Sequence, residues 1–385
     1  MILGIITDCT HYTSPSGEVC TENHILLRQF KHLSAYFEKT IILCPFGKFD
    51  DRKVTTTYTS SNIQFHQLPL VGGNAMKDKV QLLVTVPKWL RAFKMLHRQC
   101  DVVYQRFPNN LNIPGFIYFW LQRKKVFATY TGTWSGYQGE AASYRLQRWI
   151  LRSPFRGPVW VYDEKGKEQG RIRNGFSPSY SVAEWEEETA QVEKRKQRIE
   201  NGLTTYKFLT VGTIIDYKNQ LAIVQACHVL KQKGFSFQLT IVGDGPMKAE
   251  LEEYVIKNGL QEEVKLVGKQ NHVSLRQLYR EHDFVVQAPL KEGFGKVPIE
   301  GFFHGVIPVI NNISMASQMI GANERGFLFD ASKPNHLVET LLSLPAQQHL
   351  FAGMINKGRT YAKLQTLEAW AREYYETVSA YYNEA

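Results

Sequence analysis

No apolar run in the chain approaches the roughly 18 residues that a membrane-spanning helix needs, so no spanning segment is expected within its 385 residues. Cysteine is scarce. Cys9, Cys20, Cys44, Cys100 and Cys227 are odd in number, far apart and include no Cys-x-x-Cys pair. That favours reduced thiols in a cytosolic protein over a disulfide framework or a cysteine zinc site. Histidines such as His11, His24 and His66 are scattered without ligand spacing, so no metal centre is expected. There is no low-complexity tract and no short-period repeat, which excludes a solenoid. The opening "MILGIITDC" is apolar but has no basic flank; it reads as a first strand rather than a signal peptide.

What is present is ordinary globular composition, 43% hydrophobic and 21% charged. The length suggests two or three domains. The formal net charge is +10, and its placement is one-sided. Residues 1–175 hold 24 Lys and Arg against 12 Asp and Glu, a net +12; the remaining 22 basic and 24 acidic residues leave 176–385 at −2. A one-sided basic field suits an anionic partner for the first half, such as lipid headgroups, a phosphorylated acceptor or nucleic acid. For any single lysine, a solvated surface kept for solubility is the blander explanation. The excess charge avoids the half with the most ordered motifs, and no RNA- or DNA-binding motif is present, so nucleic acid is not an expected partner.

Short apolar runs alternate with longer amphipathic ones. In the first half strands are expected at 2–7, 40–45, 63–69, 101–106, 125–130 and 158–163, with helices at 20–37 and 78–99. The pattern fails from about 171 to 203. "RIRNGFSPSYS" is rich in turn residues, and "EWEEETAQVEKRKQRIE" is almost all charged; this reads as a linker containing a solvated helix. The alternation restarts with strands at 206–212, 236–243, 264–268, 283–289, 306–311 and 326–330, and helices near 218–233, 247–259, 273–281 and 298–304. The fold class is therefore α/β, with two doubly wound parallel-sheet domains. In the tail, 366–382 reads as one helix whose aromatics need a surface to pack on. Domains of this kind bind ligands outside the carboxyl ends of their strands.

One stretch carries most of the functional information: "KEGFGKVPIE", 291–300. A strand precedes it and a helix follows. Gly293 and Gly295 permit a tight turn and close approach of a ligand. Pro298 suits a first helical turn. The N–H groups and dipole of that helix start attract phosphate, and Lys296 adds a cation. Glu292 and Glu300 would repel phosphates if they touched them, but they can accept hydrogen bonds from neutral hydroxyls on either side of a diphosphate. A nucleotide sugar has that layout, ribose on one flank and hexose on the other. The blander reading is a glycine turn between two solvated glutamates; the Gly-Phe-Gly interior and the strand–loop–helix context weigh against it.

The segment resembles the Glu-x(7)-Glu signature of retaining glycosyltransferases of the GT-B fold, in particular glycosyltransferase family 4. The similarity covers about residues 204–345, through "FLTVGTIIDYKNQ", "LTIVGDGPMKAELE", "VKLVGKQNHVSLRQLY", "DFVVQAPLKEGFGKVPIEGFFHGVIPVI" and "RGFLFD", in the family's order and spacing. It implies two Rossmann-like domains facing across a cleft: an acceptor domain at 1–175, a linker region at 176–203, a donor domain at 204–365, and a helix at 366–385 crossing back to the first domain. Glu300 would bind the donor ribose, and Glu292 the donor-sugar hydroxyls. The backbone of Gly293, Phe294 and Gly295 would surround sugar and phosphates, and Lys296 and Val297 would offer amides to the diphosphate. Lys218 matches the lysine that neutralises the leaving group, so Glu292 and Lys218 are the residues expected to carry catalysis. Val267, Gly268 and Lys269 lie where the base is held, and Gly245, in "GDGP", belongs to the same donor site. In the first domain Gly17, in "SPSGEV", would sit near the phosphates or acceptor at the start of helix 20–37.

The chain departs from the family's pattern twice. Thr213 stands where the family often has an arginine, leaving Lys296 as the substitute cation. Tyr130 or Thr131 stands where the family often has a histidine. No Asp-x-Asp triplet occurs, which the other common nucleotide-sugar transferase architecture uses to hold a divalent metal. Metal-independent transfer from a UDP- or GDP-sugar, without a cofactor and with retention of configuration, is what the resemblance implies.

Acceptor recognition falls to the basic half. "PKWLRAFKMLHR" (87–98) places Trp89, Phe93 and Leu96 on one helical face, with Lys88, Arg91, Lys94 and Arg98 on the others. "YRLQRWILR" (144–152) and "GFIYFWLQRKK" (115–125) join aromatics to basic residues in the same way. Such helices either pack on the sheet with their cations in water or lie at a membrane surface. Arg106, ending a strand, is a candidate for an acceptor phosphate or acidic sugar. The expectation is a cytoplasmic enzyme of cell-surface polysaccharide synthesis, in peripheral contact with the anionic inner leaflet, using a glycan or polyprenyl-diphosphate-linked acceptor. The alternatives are a same-fold enzyme with a small acceptor, such as a sugar-phosphate synthase or epimerase, and a catalytically weak nucleotide-sugar-binding scaffold.

Overall fold

The computed structural model describes residues 1–70, 76–137, 139–162 and 170–383, with residues 76–83 described by their backbone alone. Asp163, the end of one expected strand, lies outside them. The chain divides into two units: Met1–Phe176 with Leu367–Ala385, and Ser177–Thr366.

The first unit contains β1 (Ile2–Ile6), β2 (His11–Thr13), β3 (Val19–Thr21), β4 (Lys39–Pro45), β5 (Thr56–Thr57), β6 (Ile63–Leu68), β7 (Val102–Phe107), β8 (Lys125–Tyr130), β9 (Val159–Val161) and β10 (Ile172–Asn174). Its helices are α1 (His24–Ser34), α2 (Met76–Gln99), α3 (Asn112–Leu121) and α4 (Ala142–Arg152). Seven strands form one parallel sheet in the order β10-β9-β8-β7-β1-β4-β6. Both faces are covered, which is why its inner strands read as almost unbroken apolar runs. Leu3 and Ile5 of β1 point to the side of α1, whereas Ile6 joins a cluster with Phe93 and Leu96 of α2.

The small antiparallel sheet of β2, β3 and β5 corrects one expectation. The helix expected over 20–37 starts only at His24, where the Asn23 side chain accepts the Leu26 N–H at 3.0 Å. Gly17 is therefore not at a helix start; it sits in the β2–β3 turn with φ +82°, a conformation glycine adopts without strain. On α2, Trp89, Phe93 and Leu96 are buried while Lys88, Arg91, Lys94 and Arg98 are exposed.

The chain's last helix, Leu367–Asn383, belongs to this unit. It brings Trp370, Tyr374 and Val378 into the cluster with Leu3, Ile5 and Tyr104. Tyr374 stacks on Trp160 with ring centroids 3.8 Å apart, and the Trp160 indole N–H donates to Glu373 at 2.8 Å. The Tyr382 hydroxyl donates to the Val126 carbonyl and accepts its N–H, at 2.6 and 2.7 Å.

The second unit opens with α5 (Val182–Glu187) and α6 (Thr189–Glu200), where a linker with a solvated helix was expected. Most charges of this segment face solvent, but Glu188 and Arg195 face inward. Glu188 is buried and accepts from Arg276 and Arg280 at 2.7 and 3.0 Å. Buried Arg195 donates to the carbonyls of Tyr279, Arg280 and His282 at 2.6, 2.8 and 2.8 Å, a cation on the open carbonyls of a helix end. Val192 and Ile199 enter the main apolar cluster.

The sheet of this unit contains β11 (Tyr206–Val211), β12 (Phe237–Val242), β13 (Val264–Gly268), β14 (Phe284–Gln287), β15 (Ile307–Asn311) and β16 (Phe327–Phe329), in the parallel order β13-β12-β11-β14-β15-β16. Around it run α7 (Gln220–Gln232), α8 (Lys248–Lys257), α9 (His272–Glu281), α10 (Lys296–Phe303), α11 (Ala316–Ile320), α12 (His336–Ser343) and α13 (Phe351–Lys363); the last helix is α14. Among the described residues no helix is long and apolar enough to cross a membrane.

Because Tyr374 fills a stacked position in the first unit's core, Tyr374→Ala is expected to destabilise the protein by about 3–5 kcal/mol. Urea denaturation followed by tryptophan fluorescence measures this; a loss below about 1 kcal/mol would show that α14 is dispensable for the unit.

Candidate active site

In the second unit the chain lays down β11, then β12 and β13 to one side, and then returns to place β14, β15 and β16 on the other. The reversal leaves a crevice between the carboxyl ends of β11 and β14, the usual ligand position in such sheets. Two expected residues meet there. Lys218 ends a short 3₁₀ turn, Asp216–Lys218, after β11. Glu292 lies in the loop after β14, and its Oε2 pairs with the Lys218 ammonium. Both side chains remain about one-fifth exposed, 20% and 24%, so an incoming ligand can reach the pair.

The loops at this end pass unusually close to one another. A Cβ at Gly243 would lie 1.9 Å from the Gly212 carbonyl oxygen, and one at Gly245 2.2 Å from that of Ile214. No other residue fits, so Gly245 of "GDGP" has a packing reason to be glycine. Thr213 is exposed, and its carbonyl accepts from the Gln220 amide at 2.9 Å. Val267, Gly268 and Lys269 lie at the carboxyl end of β13, the sheet edge two strands from β11.

Gly295, with φ +74°, precedes α10 and supplies no side-chain cap. Lys296 and Val297 are thus the first two helical residues, and Pro298 the third. Backbone N–H groups at such positions have no intrahelical partner, and together with the helix dipole they suit an anion. Phe294 is buried beneath the turn, and the Gly293 carbonyl accepts from the Ser314 hydroxyl.

Glu300 is 5% exposed. The Ser179 hydroxyl donates to its Oε1 at 2.6 Å and the Tyr279 hydroxyl to its Oε2 at 2.8 Å. Burial, then the charge of Glu300, hold the Tyr279 phenol well above its usual range, which keeps it a donor. A carboxylate has about four acceptor positions, so two hydroxyl partners leave room for more. Ser179 and Tyr279 were not anticipated. Ser179 belongs to the segment taken for linker, and Tyr279 carries no local signal beyond its place on the apolar face of α9.

The first unit repeats the arrangement. Its strand order reverses between β1 and β7. Arg106 is the penultimate residue of β7, and Asp8 follows β1 by two positions. Burial pushes the Asp8 carboxyl up; the Arg106 charge pulls it partly back. Thr131, just past β8, is tied to the Phe107 carbonyl by its N–H at 2.8 Å and its hydroxyl at 3.2 Å. Tyr130 is buried at 1%, where its hydroxyl accepts from Arg148 at 3.3 Å and Arg148 pairs with Glu140. Of the two, only Thr131 is partly exposed.

Behind these residues His11 is fully buried, with Nδ1 2.8 Å from the Cys9 carbonyl and Nε2 3.2 Å from the Tyr58 hydroxyl. The neutral ring donates to the first and accepts from the second.

Residues 191–361 match the glycosyl transferases group 1 family. The uncharacterized glycosyltransferase MJ1178 of Methanocaldococcus jannaschii is 26% identical over 178 residues, 45% of this chain and 49% of the relative. The N-acetylgalactosamine-N,N'-diacetylbacillosaminyl-diphospho-undecaprenol 4-alpha-N-acetylgalactosaminyltransferase of Campylobacter jejuni is 28% identical over 156 residues, 40% of this chain and 41% of that one. The chain thus matches half or less of the length of these relatives. Two solved structures align over nearly the whole chain. Sucrose-phosphate synthase from Thermosynechococcus elongatus gives a TM-score of 0.71 at 18% identity, covering 100% of both chains. Anabaena Alr3699/HepE in complex with UDP-glucose gives 0.72 at 14% identity, covering 99% of this chain and 100% of that one. The architecture is that of the GT-B fold, built from Rossmann-like units.

The buried ring of His11 generates a pH dependence. Burial lowers its pKa from the ordinary 6.5 to about 4. The unfolded chain therefore binds this proton at higher pH than the folded one does. The associated stability is present above pH 6.5 and is lost as pH falls from there through about 4. At about 1.4 kcal/mol per pH unit this amounts to at most about 3.5 kcal/mol. His11→Asn is expected to flatten the dependence of the urea midpoint on pH across that window. An unchanged slope would place the proton uptake elsewhere.

Proposed function

We propose that the protein is a retaining, metal-independent glycosyltransferase. It moves a hexose from a UDP- or GDP-sugar to a glycan or polyprenyl-diphosphate-linked acceptor in cell-surface polysaccharide synthesis. The observation that carries this reading is the Lys218–Glu292 pair in the crevice between β11 and β14, on the loop that leads into the uncapped start of α10. The match of 191–361 to a glycosyltransferase family supports it. So do a GT-B neighbour in complex with UDP-glucose and a relative named for a diphospho-undecaprenol substrate.

In this reading the second unit takes the donor. The diphosphate lies against the amides of Lys296 and Val297, with Gly293, Phe294 and Gly295 around it. Glu300, held by Ser179 and Tyr279, accepts from the ribose hydroxyls. Val267, Gly268 and Lys269 border the base, with Thr213 and Gly245 on the phosphate side. When the donor arrives, Lys218 exchanges the Glu292 carboxylate for phosphate oxygens, and Glu292 turns to hexose hydroxyls. The bond between the anomeric carbon and the diphosphate oxygen breaks, and the acceptor oxygen attacks on the same face. Its proton passes to the departing phosphate. Charge accumulates on the diphosphate as that bond opens, and a preorganised cation and helix-start amides stabilise it most at that moment. Metal independence rests on the absence of an Asp-x-Asp triplet.

The first unit takes the acceptor. Arg106 and Thr131, at strand ends near the β1–β7 reversal, face its anionic part, with Asp8 beside Arg106 and Gly17 in the hairpin turn nearby in sequence. The basic excess of this half and the exposed cations of α2 favour work at the cytoplasmic face of an anionic membrane.

Lys218→Ala is expected to lower kcat by about 10²–10³-fold and to reduce the thermal shift given by UDP or GDP. Glu292→Ala is expected to abolish hexose transfer while the nucleotide alone still binds. Steady-state kinetics with a panel of nucleotide sugars, beside melting curves of each variant, measures both. Wild-type turnover in either variant would remove that residue from the chemistry.

A further inference from the structure

A cavity in the first unit has no part in this chemistry. It lies beneath α3 at the amino end of β8, the end of the sheet opposite Thr131 and Arg106. Its volume is about 110 Å³, approaching the roughly 150 Å³ of an apolar cavity that admits benzene. Phe116, Phe119 and Val126 form its walls, and Gln105 also lines it. Gln105 is fully buried, and neither atom of its amide has a hydrogen-bond partner among the described residues. Leaving such a group unpaired costs about 1–3 kcal/mol, so a ligand that offers both a donor and an acceptor there would gain by it.

The mouth is cationic. Arg123, Lys125 and Arg156 line it and are exposed. The Arg156 guanidinium lies 5.0 Å from the centre of the Trp120 ring, and the Lys125 ammonium 5.4 Å from that of Tyr382. Lys124 is committed elsewhere, donating to the carbonyls of His97 and Cys100. Beside these cations α3 turns apolar side chains to solvent: Ile117 is 51% exposed, Trp120 40% and Leu121 64%. Cations beside an outward apolar ridge suit the boundary between headgroups and acyl chains. A soluble anion would make no use of the ridge.

We propose that this cavity is a headgroup site for an anionic phospholipid. The phosphate meets Arg123, Lys125 and Arg156, the hydroxyls of a polyol headgroup donate to and accept from the Gln105 amide, and Ile117, Trp120 and Leu121 enter the acyl boundary. The proposal rests on the membrane contact proposed above and gives it a specific binding site, distinct from diffuse attraction to the basic face of α2.

Flotation of the full-length protein tests it, with vesicles of one part phosphatidylglycerol to three parts phosphatidylcholine. Arg123→Glu with Arg156→Glu is expected to weaken binding about tenfold or more. The same charge change on α2, Arg91→Glu with Lys94→Glu, is expected to weaken it several-fold less. Gln105→Leu, with its folding checked by melting, is expected to weaken binding while leaving every surface charge in place. Equal losses in the two double variants would overturn the headgroup site and leave membrane contact standing. Failure of the wild type to float would overturn both, without bearing on sugar transfer. Free glycerol phosphate or glucuronate is expected to give the wild type no thermal shift. A shift that Arg123→Glu with Arg156→Glu abolishes would reassign the cavity to a soluble anion and overturn the lipid proposal.

Discussion

An ion pair between two loops, Lys218 with Glu292, is the contact on which the functional reading depends, and the order of the strands dictates it. Chain reversal between β11 and β14 puts the two loops at adjacent strand ends, where neither is covered by a crossover helix. The neighbouring turns come so close that Gly243 and Gly245 admit no side chain. A lysine and a glutamate held together near a helix start form a charge pair of zero net charge that a diphosphate can open. In the proposed function the anion takes the cation, and the freed carboxylate turns to neutral hydroxyls. Little reorganisation is needed beyond this exchange, which is the condition under which fixed charges stabilise a developing charge most.

The same economy explains Glu300. A buried carboxylate requires donors, and Ser179 and Tyr279 provide two from elements far apart in sequence. They fix the carboxylate's direction while leaving acceptor positions open. Ser179 lies just ahead of α5 and α6, a segment bound into the second unit by the ion pairs of Glu188 and the hydrogen bonds of Arg195 to backbone carbonyls. The candidate site therefore draws on chain that precedes the first strand of its own sheet.

Much of this was legible in the sequence because the signals were local. Each strand of the two large sheets except β10 was expected from the sequence, and the inner ones are apolar runs because they are buried on both faces. The strand–loop–helix setting of 291–300 could be read from glycine and proline alone. Three features could not. β2, β3 and β5 are two or three residues long, too short to show alternation, and they displaced the start of α1. The segment 182–200 looked wholly solvated because composition does not reveal that two of its charges turn inward, Arg195 onto the carbonyls at the end of α9 and Glu188 onto Arg276 and Arg280. The Ser179–Glu300–Tyr279 contact links residues more than a hundred positions apart and leaves no periodic trace. α14 lies between these cases: its aromatics predicted burial, the family resemblance implied a return to the first domain, and in the structure they pack in the first unit.

The most direct test of the account is a crystal structure grown with UDP or GDP. The account predicts the diphosphate against the amides of Lys296 and Val297, the ribose on Glu300, and Lys218 turned from Glu292 to a phosphate oxygen. A nucleotide bound elsewhere, or a Lys218–Glu292 pair left intact beside a bound diphosphate, would contradict it.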